Sequence, residues 1–399
     1  MIEATGLYDP FTHTVWDDPY PVYRQLRDGY PVYRNVARDC WVLSRYADIQ
    51  AASRAVAIFS NAEGVDLDLP PGYLGPGSFL DADPPDHTRL RRILHEHFTP
   101  KVIGHLESLV RTRVRRILDD MLARGEGDIA DILAFPLPMF TVLALMGLPE
   151  EDGPQLRAWL DATALRTPGS AARPPECDAA HDALARYVDR LLDDRMRRPG
   201  EDLLTVIATA VADGRITRAE THGMSLLLLT AGWETTASLI STALYLLARY
   251  PDERRLLVAE PANIPAAIEE ILRFEAPVQY LHRTTTQDVE LHDTILPRGD
   301  RVVLLYASGN RDERVWDRPD RFVVRREPKR HLAFGDGIHH CIGAPLARLE
   351  ARIALEEVLG AAPGYEIAGP IERLQAHVLR GIRRLPVALG APILRARSA

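Results

Sequence analysis

The chain has 399 residues, of which 46% are hydrophobic, and a formal net charge of −8 at pH 7. A chain of this size and composition can bury a large core. Its acidic balance, with a pI near 5.9, argues against a general nucleic-acid-binding protein.

The three cysteines, Cys40, Cys177 and Cys341, are scattered and odd in number. They predict no disulfide framework and fit a reducing, cytoplasmic location. No apolar run reaches the roughly 18 residues that a membrane anchor needs, and the N-terminus lacks the pattern of a signal peptide. Because no linker or repeat divides the chain, we expect a single large domain over residues 1–399. We also expect the protein to be a monomer.

Short alternating segments predict strands near the start and in the later part of the chain. Residues 31–36 and 40–45 predict a hairpin, and residues 289–291 and 301–305 a second strand pair. These segments suggest a β-rich lobe within roughly 20–80 and 280–305.

Most of residues 86–274 is typical of helices, which suggests a helical lobe over most of the remaining chain. Linkers are predicted near 125–128, 167–176 and 198–202, and the Pro/Ala/Gly-rich 167–176 stretch is a candidate mobile lid.

The segment Asp83-Pro-Pro-Asp-His87-Thr-Arg-Leu-Arg91-Arg92 predicts a helix with prolines at its start. His87 and Arg91, four residues apart, share one helix face. Between Arg89 and Arg116 the chain is locally basic, with two acidic residues, Glu96 and Glu107. The basic residues of this stretch are Arg89, Arg91, Arg92, Lys101, Arg111, Arg113, Arg115 and Arg116.

A long, almost wholly apolar helix is predicted after the capping box Thr217-Arg-Ala-Glu220. Its middle contains Ala231-Gly232-Trp233-Glu234-Thr235-Thr236, and a carboxylate and hydroxyls inside a buried helix are costly unless they have partners or a task. The simpler interpretation is that the threonine bonds back to its own helix while the glutamate reaches solvent.

Two further charged motifs follow. Glu270 and Arg273 lie three residues apart on one predicted helix face, and Pro319-Asp-Arg321-Phe322 comes later. An isolated pair of this kind is usually exposed and contributes little to stability.

The most informative segment is Phe334-Gly-Asp-Gly-Ile-His-His-Cys341-Ile-Gly343, followed by a predicted helix with Pro345 in its first turn. The positive end of that helix would favour a thiolate. A lone cysteine is most often a small buried hydrophobe. Zinc ligation by the neighbouring histidines lacks the usual spacing, and a dinucleotide fingerprint fails at His340, where glycine or alanine is needed.

The spacing F-G-x-G-x-H-x-C-x-G closely resembles the haem-binding loop of the cytochromes P450. The earlier segments are similar to the D-P-P-x-H-x-x-x-R, A-G-x-[DE]-T and E-x-x-R motifs of that family, and the resemblance extends from about residue 20 to 389. It implies a mainly α fold with small β-sheets (α+β), in which haem lies between the long central helix and the helix after the cysteine.

The resemblance also implies roles for individual residues. Cys341 would be the axial ligand of the iron of haem b, while Glu234 and Thr235 would deliver protons during oxygen activation, on a locally distorted helix. Glu270, Arg273 and Arg321 would form a structural triad. The haem propionates and ring would be contacted by His87, Arg91, Ala231, Arg283, Phe334, Gly335, His339 and Gly343.

A distal substrate pocket is implied in the same way. Its predicted lining is Leu227, Thr230, Ala231, Val278, Gln279, Leu281 and Leu379. Residues 62–79 would cover it, with Leu67, Leu69, Tyr73 and Phe79 facing inward. Thr230 and Gln279 are the predicted polar contacts in an otherwise aliphatic pocket.

The implied activity is that of a haem-thiolate monooxygenase acting on a lipophilic small molecule. O2 would be the cosubstrate, and electrons would come from NAD(P)H through a ferredoxin reductase and a ferredoxin, which would dock on a patch containing Arg92, Arg113 and Arg352. Alternatives are an atypical oxidation (phenol coupling, dehydrogenation, C–C cleavage or nitration), a non-catalytic haem-binding protein, and a thiol- or zinc-dependent hydrolase.

Overall fold

The computed structural model of the chain describes residues 6–163, 165, 174–326 and 330–389, so most of the predicted lid at 167–176 lies outside it. Helices dominate and the strands are short, as the sequence predicts. The helices are α1 His13–Asp17, α2 Tyr20–Gly29, α3 Tyr46–Arg54, α4 Asp86–His95, α5 Pro100–Gly104, α6 Glu107–Arg124, α7 Pro136–Met146, α8 Gly153–Thr163, α9 Pro175–Arg197, α10 Leu203–Ala212, α11 Glu220–Arg249, α12 Pro251–Ala259, α13 Ile264–Phe274, α14 Tyr306–Gly309 and α15 Ala344–Ala361. The strands are β1 Val32–Asn35, β2 Cys40–Leu43, β3 Phe59–Ser60, β4 Glu126–Asp128, β5 Leu281–Thr285, β6 Val289–Leu291, β7 Thr294–Leu296, β8 Arg301–Leu304, β9 Glu366–Ile367, β10 Glu372–Arg373, β11 Ile382–Arg384 and β12 Pro386–Ala388.

The centre of the molecule is built from α11 and α15. α15 packs against α6, α11 and α13, while α11 also packs against α7 and α9. With 30 residues, α11 is about 45 Å long and passes through the interior. This packing brings the polar middle of α11 close to the loop that precedes α15.

The predicted capping box at the start of α11 is confirmed. The backbone N–H of Thr217 donates to Glu220 Oε2 (2.7 Å), and the backbone N–H of Glu220 donates back to Thr217 Oγ1 (3.3 Å). Further along the helix, Trp233 is buried and its indole N–H donates to the carbonyl of Phe135 (2.9 Å). The tryptophan therefore packs towards the π-helical turn Ala130–Ala134 and α7.

The larger sheet has the strand order β1-β2-β8-β5-β3. The β1–β2 hairpin is confirmed, but the predicted pairing of 289–291 with 301–305 is wrong. β8 lies between β2 and β5, whereas β6 pairs with β7 through a tight turn at His292 and Asp293, both of which have positive φ. β6 pairs with β7, the strand that follows it directly in the chain. The largely buried β8 is a central strand of the larger sheet.

The predicted linker near 125–128 contains a strand. Gly125, with φ of 77°, ends α6 in the left-handed conformation. The chain then enters β4, which pairs antiparallel with β12. Composition alone gave no sign of this pairing, since its partner lies some 260 residues later in the chain.

Residues 62–79, here called the cover loop, contact the first turn of α11 backbone to backbone. A Cβ at Gly77, where φ is +90°, would lie 1.8 Å from the carbonyl oxygen of Glu220. A Cβ at Gly223 would lie 2.3 Å from the carbonyl oxygen of Gly75, and the N–H of Gly223 donates to Pro76 O (2.9 Å). Glycine at 77 and 223 is therefore required for this contact.

One carboxyl group is buried in the helical core away from this loop. Glu350 of α15 is fully buried, and the hydroxyl group near it belongs to Thr141 of α7, which donates to Leu137 O. Burial raises the pKa of Glu350 to about 8, and the hydroxyl offsets this only in part. The side chain is therefore protonated at neutral pH.

We expect Glu350 to make the stability of the protein fall as the pH rises. Since its pKa is higher in the folded state, its contribution is complete below its unfolded pKa of 4.5 and is lost through the folded pKa of about 8. Relative to Glu350→Gln, the parent should lose about 4 kcal/mol between pH 5 and 9. Urea denaturation at several pH values would measure this, and parallel pH profiles for the two proteins would contradict it.

Candidate active site

The loop before α15 is fixed by glycine conformations and by a buried carboxylate. Gly335 and Gly337 have φ of +67° and +71°, and a Cβ at Gly337 would lie 2.5 Å from Ser53 O of α3. Asp336 accepts hydrogen bonds from Arg330 (2.7 Å) and from Arg54 of α3 (3.0 Å). The loop is thus held against α3 in one conformation.

Cys341 lies at the end of this loop with its side chain open to an internal cavity. Its N–H donates to the carbonyl of Phe334 (2.9 Å). Gly343 has an ordinary φ of −79°, and a Cβ there would be 3.8 Å from Cys341 Sγ, so no unusual conformation requires glycine at this position. The loop therefore places the sulfur of Cys341 on the wall of the cavity.

The N–H groups at the helix end favour a thiolate at Cys341, as predicted, but burial has the larger effect on its pKa. Burial raises the pKa of Cys341 and outweighs the backbone N–H groups of Gly343 and Ala344 and the guanidinium groups of Arg91 and Arg348, which lower it. A metal ion bound to the sulfur would deprotonate the thiol outright. The local positive charges and N–H groups therefore favour the thiolate, but a bound metal ion is needed to deprotonate the thiol fully.

The cavity above Cys341 has a volume of about 790 Å³. It lies between the Cys341 loop, the middle of α11 and the cover loop. Most predicted pocket residues line it, namely Leu227, Thr230, Ala231, Val278, Leu281 and Leu379, as do Leu69, Tyr73 and Phe79 of the cover loop. The lining is largely aliphatic.

Gln279 does not face this cavity. Its side-chain oxygen accepts a hydrogen bond from Tyr23 (3.2 Å), and its amide donates to Ala276 O (2.6 Å). The chain is extended here, since Val278 forms a bridge with Leu379. Neighbouring side chains of an extended segment point to opposite sides, so Val278 faces the cavity and Gln279 faces away. Leu67 of the cover loop also lies outside the lining.

Four basic side chains converge at one edge of the cavity. The rings of His87 and His339 are 4.3 Å apart. Arg91 donates to His340 O (2.6 Å) and Arg283 to His282 O (2.7 Å). Both nitrogens of His87 and Nε2 of His339 are buried without a hydrogen-bond partner in the described part of the chain.

The electrostatics of this edge indicate a missing anion. Burial, and to a smaller extent the positive charges of Arg283, His87 and Arg91, together lower the pKa of His339 to about 2. Buried donors without acceptors are costly. A group with two carboxylates, such as haem with its propionates, would supply the acceptors and the negative charge, so these residues fit the cofactor that the sequence predicts.

The middle of α11 forms the opposite wall. Ala231, Glu234 and Thr235 line the cavity, and the Thr235 hydroxyl donates to Ala231 O (2.9 Å). The helix is continuous through these residues, so the predicted local distortion is not seen. Thr235 therefore has the back-bonded geometry of the simpler interpretation, while Glu234 faces the cavity and not bulk solvent.

The predicted charged triad contains a different arginine. Arg273 and Glu270 form a bidentate pair (2.7 and 2.9 Å) with both side chains buried. The third member is Arg326, whose Nε lies 3.0 Å from Glu270 Oε2. Arg321 is exposed and contributes only its carbonyl, which accepts from Arg273 and Arg326. The assignment of Arg321 is wrong because the chain turns its side chain outward.

This difference predicts unequal effects of the two arginines. Replacing Arg326 with glutamine removes a charge-assisted hydrogen bond from buried Glu270 and should lower the free energy of unfolding by about 2 kcal/mol. Arg321→Gln, the matched control, should leave it unchanged. Urea denaturation would measure both, and a larger loss for Arg321→Gln would contradict the structural assignment.

The basic stretch before Arg116 is largely neutralised within the protein. Arg111 and Arg115 pair with Glu357 of α15, and Arg113 pairs with Glu150 (2.6 Å). Arg352, also predicted to dock a partner, pairs with Glu107 (2.7 Å). Among the described residues, the exposed members of the stretch without an ion pair are Arg92, Lys101 and Arg116.

Sequence spacing missed several cavity residues. Phe98, Val142, Met146 and Tyr306 line the cavity, and so do Asp66 and His377. Val142 and Met146 share helix α7, the others come from separate segments, and none belongs to a motif with a fixed distance from Cys341. Only their chemistry, such as a carboxylate or an imidazole in an apolar neighbourhood, could have drawn attention to them.

Comparison with known proteins decides the family. A family model described as Cytochrome P450 matches residues 175–361. Putative cytochrome P450 123 of Mycobacterium tuberculosis is 37% identical over 390 residues, which cover 96% of this chain and 97% of that protein. The chain belongs to the cytochrome P450 family. Cytochrome P450 monooxygenase PikC of Streptomyces venezuelae is 35% identical over 93% of this chain and 91% of that protein.

The fold is that of solved cytochromes P450. The crystal structure of CYP109E1 from Bacillus megaterium in complex with testosterone matches with a TM-score of 0.88 and 31% identity, over 94% of this chain and 98% of that one. The protein is therefore a P450-type oxidoreductase, a family that uses haem and O2. No helix in the described ranges is long and apolar enough to cross a membrane.

Proposed function

We propose that this cytochrome P450 is a monooxygenase that inserts one oxygen atom of O2 into a lipophilic small molecule, with electrons from NAD(P)H delivered through a ferredoxin reductase and a ferredoxin. The observation that carries the proposal is the single cavity that joins Cys341, the Glu234–Thr235 pair and a largely aliphatic lining. The predicted iron ligand, the predicted proton donors and the apolar walls therefore line the same cavity.

The cofactor would be held by residues on two sides. Cys341 would ligate the iron. At the edge of the cavity, the propionates would be bound by His87, Arg91, Arg283 and His339. When bound in this way, haem supplies the redox chemistry at which O2 is activated, and a thiolate ligand favours O–O cleavage.

Proton delivery would depend on the wall formed by α11. The Thr235 hydroxyl now donates to Ala231 O (2.9 Å), and rotation about its Cα–Cβ bond would turn the same donor into the cavity. Glu234, which lines the cavity, would resupply the proton. Such positioned proton transfer typically contributes about 10²- to 10⁴-fold to a rate.

Substrate selection would come mainly from shape and apolar contact. Leu227, Val278, Leu281 and Leu379 supply apolar walls, while Thr230 offers a hydroxyl that already donates to Leu226 O (2.9 Å). The solved relative CYP109E1 holds testosterone, a molecule of the lipophilic class that such walls accept. The expected substrate has few polar groups.

Oxygen-isotope labelling would test this proposal. The purified holoenzyme would be screened for lipophilic compounds that shift the haem spectrum, and each hit incubated with a ferredoxin, its reductase, NADPH and ¹⁸O2. One labelled oxygen atom per product molecule is expected. Products that carry no label would favour dehydrogenation or coupling, and would overturn the proposal of monooxygenation.

We propose that the ferredoxin docks on a patch, here called the proximal patch, formed by Arg92, Lys101 and Arg116 around Val102 and Leu109. Val102 and Leu109 are 39% and 42% exposed, which is unusual for large apolar side chains and suits the centre of an interface. α5 and α6 pack on α15. Their exposed side chains therefore lie on the outer surface next to the helix that follows Cys341.

Charge reversal of the proximal patch should slow the first electron transfer. We expect Arg92→Glu, Lys101→Glu and Arg116→Glu, combined, to lower the reduction rate about 10-fold or more in low salt and to remove most of its salt dependence, because the charges act through steering. Stopped-flow reduction across a salt series would measure this. The matched control reverses Arg186, Arg190 and Arg298, and equal slowing in both triple variants would exclude the patch.

A further inference from the structure

Three side chains that the oxygenase chemistry does not use meet at the wall of the cavity. Asp66 and Asp68 belong to the cover loop, and His377 lies between β10 and β11. His377 Nε2 is 3.1 Å from Asp68 Oδ2 and 3.6 Å from Asp66 Oδ1. One ligand atom of each residue lies within 4.8 Å of the others. The side chains are 0% (Asp68), 4% (His377) and 17% (Asp66) exposed.

These separations suit a small divalent cation. Zinc binds imidazole nitrogen at about 2.0–2.1 Å and carboxylate oxygen at about 2.0–2.2 Å, usually with tetrahedral geometry. Two ligands at that distance and angle are about 3.4 Å apart. The distances from His377 Nε2 to the two carboxylates, 3.1 and 3.6 Å, lie on either side of this value.

The histidine is also oriented as a ligand. Its Nδ1 lies 2.6 Å from the hydroxyl of Tyr280, and Phe11 stacks on its ring at 4.4 Å. When the Tyr280 hydroxyl accepts a hydrogen bond from Nδ1–H, the lone pair of Nε2 points at the two carboxylates. A partner on the outer nitrogen is the usual means by which proteins fix a metal-binding histidine.

We propose that Asp66, Asp68 and His377 form a zinc-binding site that joins the cover loop to the loop before β11. Two carboxylates and one imidazole are a donor set that zinc accepts. A carboxylate has about four acceptor positions, so other contacts of the two aspartates do not use up their capacity. Because Asp66 and His377 line the cavity, water from the cavity would complete the coordination.

Zinc bound there would connect two segments that are far apart in the chain and lie on the cavity wall. It would stabilise the folded protein by mass action. It would also restrain the part of the cover loop around Asp66 and Asp68. This role is separate from the proposed oxygenation, since neither haem nor the α11 residues take part in it.

Equilibrium dialysis of the holoenzyme against Zn²⁺, followed by elemental analysis, would test the site. The parent should bind one more Zn²⁺ per chain than His377→Gln or Asp68→Asn, and added Zn²⁺ should raise the Tm of the parent only. Tyr280→Phe, which removes the partner of Nδ1, should weaken binding about 10-fold. Asp161→Asn, a cavity-lining control, should behave as the parent.

Equal zinc stoichiometry in the parent and in His377→Gln would overturn the site. Should the more buried replacements impair folding, Asp66→Asn decides the question, because Asp66 is the most exposed of the three ligands. Unchanged zinc binding in a folded Asp66→Asn holoenzyme would equally exclude the site. A normal haem spectrum in each variant would keep this outcome distinct from a failure of the proposed oxygenase function.

Discussion

Replacing Cys341 with alanine should abolish the absorption band that marks thiolate ligation in the reduced carbon-monoxide complex, together with all product formation. The sulfur is the group that the loop presents to the cavity at the start of α15. In the described chain the other two cysteines, Cys40 and Cys177, are buried elsewhere. Among the described residues that line the cavity, Cys341 is the one cysteine, so the loss of the thiolate band should be complete.

The matched control is Cys177→Ala, which removes a thiol of the same size from α9. It should retain haem, the thiolate band and turnover. Absorption spectra of the reduced carbon-monoxide complex would be recorded for the parent and both variants. Retention of the band in Cys341→Ala would mean that another residue ligates the iron, and the assignment of the active site would have to be abandoned.

Replacing Thr235 with alanine should separate electron use from product formation. The variant keeps Cys341 and the four basic residues at the cavity edge, so haem and substrate should bind as in the parent. What is lost is a hydroxyl on the cavity wall that can donate a proton. We expect product formation to fall about 10²-fold, while NAD(P)H consumption continues and yields peroxide.

Thr242→Ala provides the comparison on the same helix. Thr242 is buried and is not part of the cavity lining, so its loss should leave the ratio of product to NAD(P)H unchanged. Product, peroxide and NAD(P)H would be measured in the same reaction. An unchanged ratio in Thr235→Ala would show that Thr235 has no part in proton delivery.

The sequence predicted best where a motif depends on local spacing. Glu270 and Arg273 share a helix face because they are three residues apart, and they form a bidentate pair. The loop ending in Cys341 and the helix after it are likewise local features. The capping box at Thr217 and Glu220 was read from four residues and is present.

Contacts between distant segments could not be predicted in the same way. Arg321 and Arg326 are both plausible partners for Glu270, and only the turn of the chain decides that Arg326 reaches it. The position of Gln279 in the sequence predicts that it lines the pocket. Side chains alternate along this extended segment, however, and that of Gln279 points to Tyr23. The sequence predicts that β8 pairs with β6, whereas β8 pairs with β2 and β5 in the structure.

Tertiary packing also changed the expected charges and pKa values. The sequence predicts an open docking surface in the basic stretch that ends at Arg116, but Arg111, Arg113 and Arg115 are paired with glutamates. The helix end favours the thiolate of Cys341, as the sequence predicts, but burial raises the pKa of the thiol and outweighs that contribution. Both effects depend on which groups surround a residue, and sequence separation does not determine that.

The close contact of the cover loop with α11 has a consequence for redesigning this enzyme. Gly77 and Gly223 leave no space for a side chain, so the rear of the loop and the start of α11 behave as one body. Combinatorial libraries intended to broaden substrate scope should therefore vary the front of the loop, around Leu69 and Tyr73, and retain residues 75–78 and 220–223. Diversity introduced at the rear would yield mostly unfolded clones.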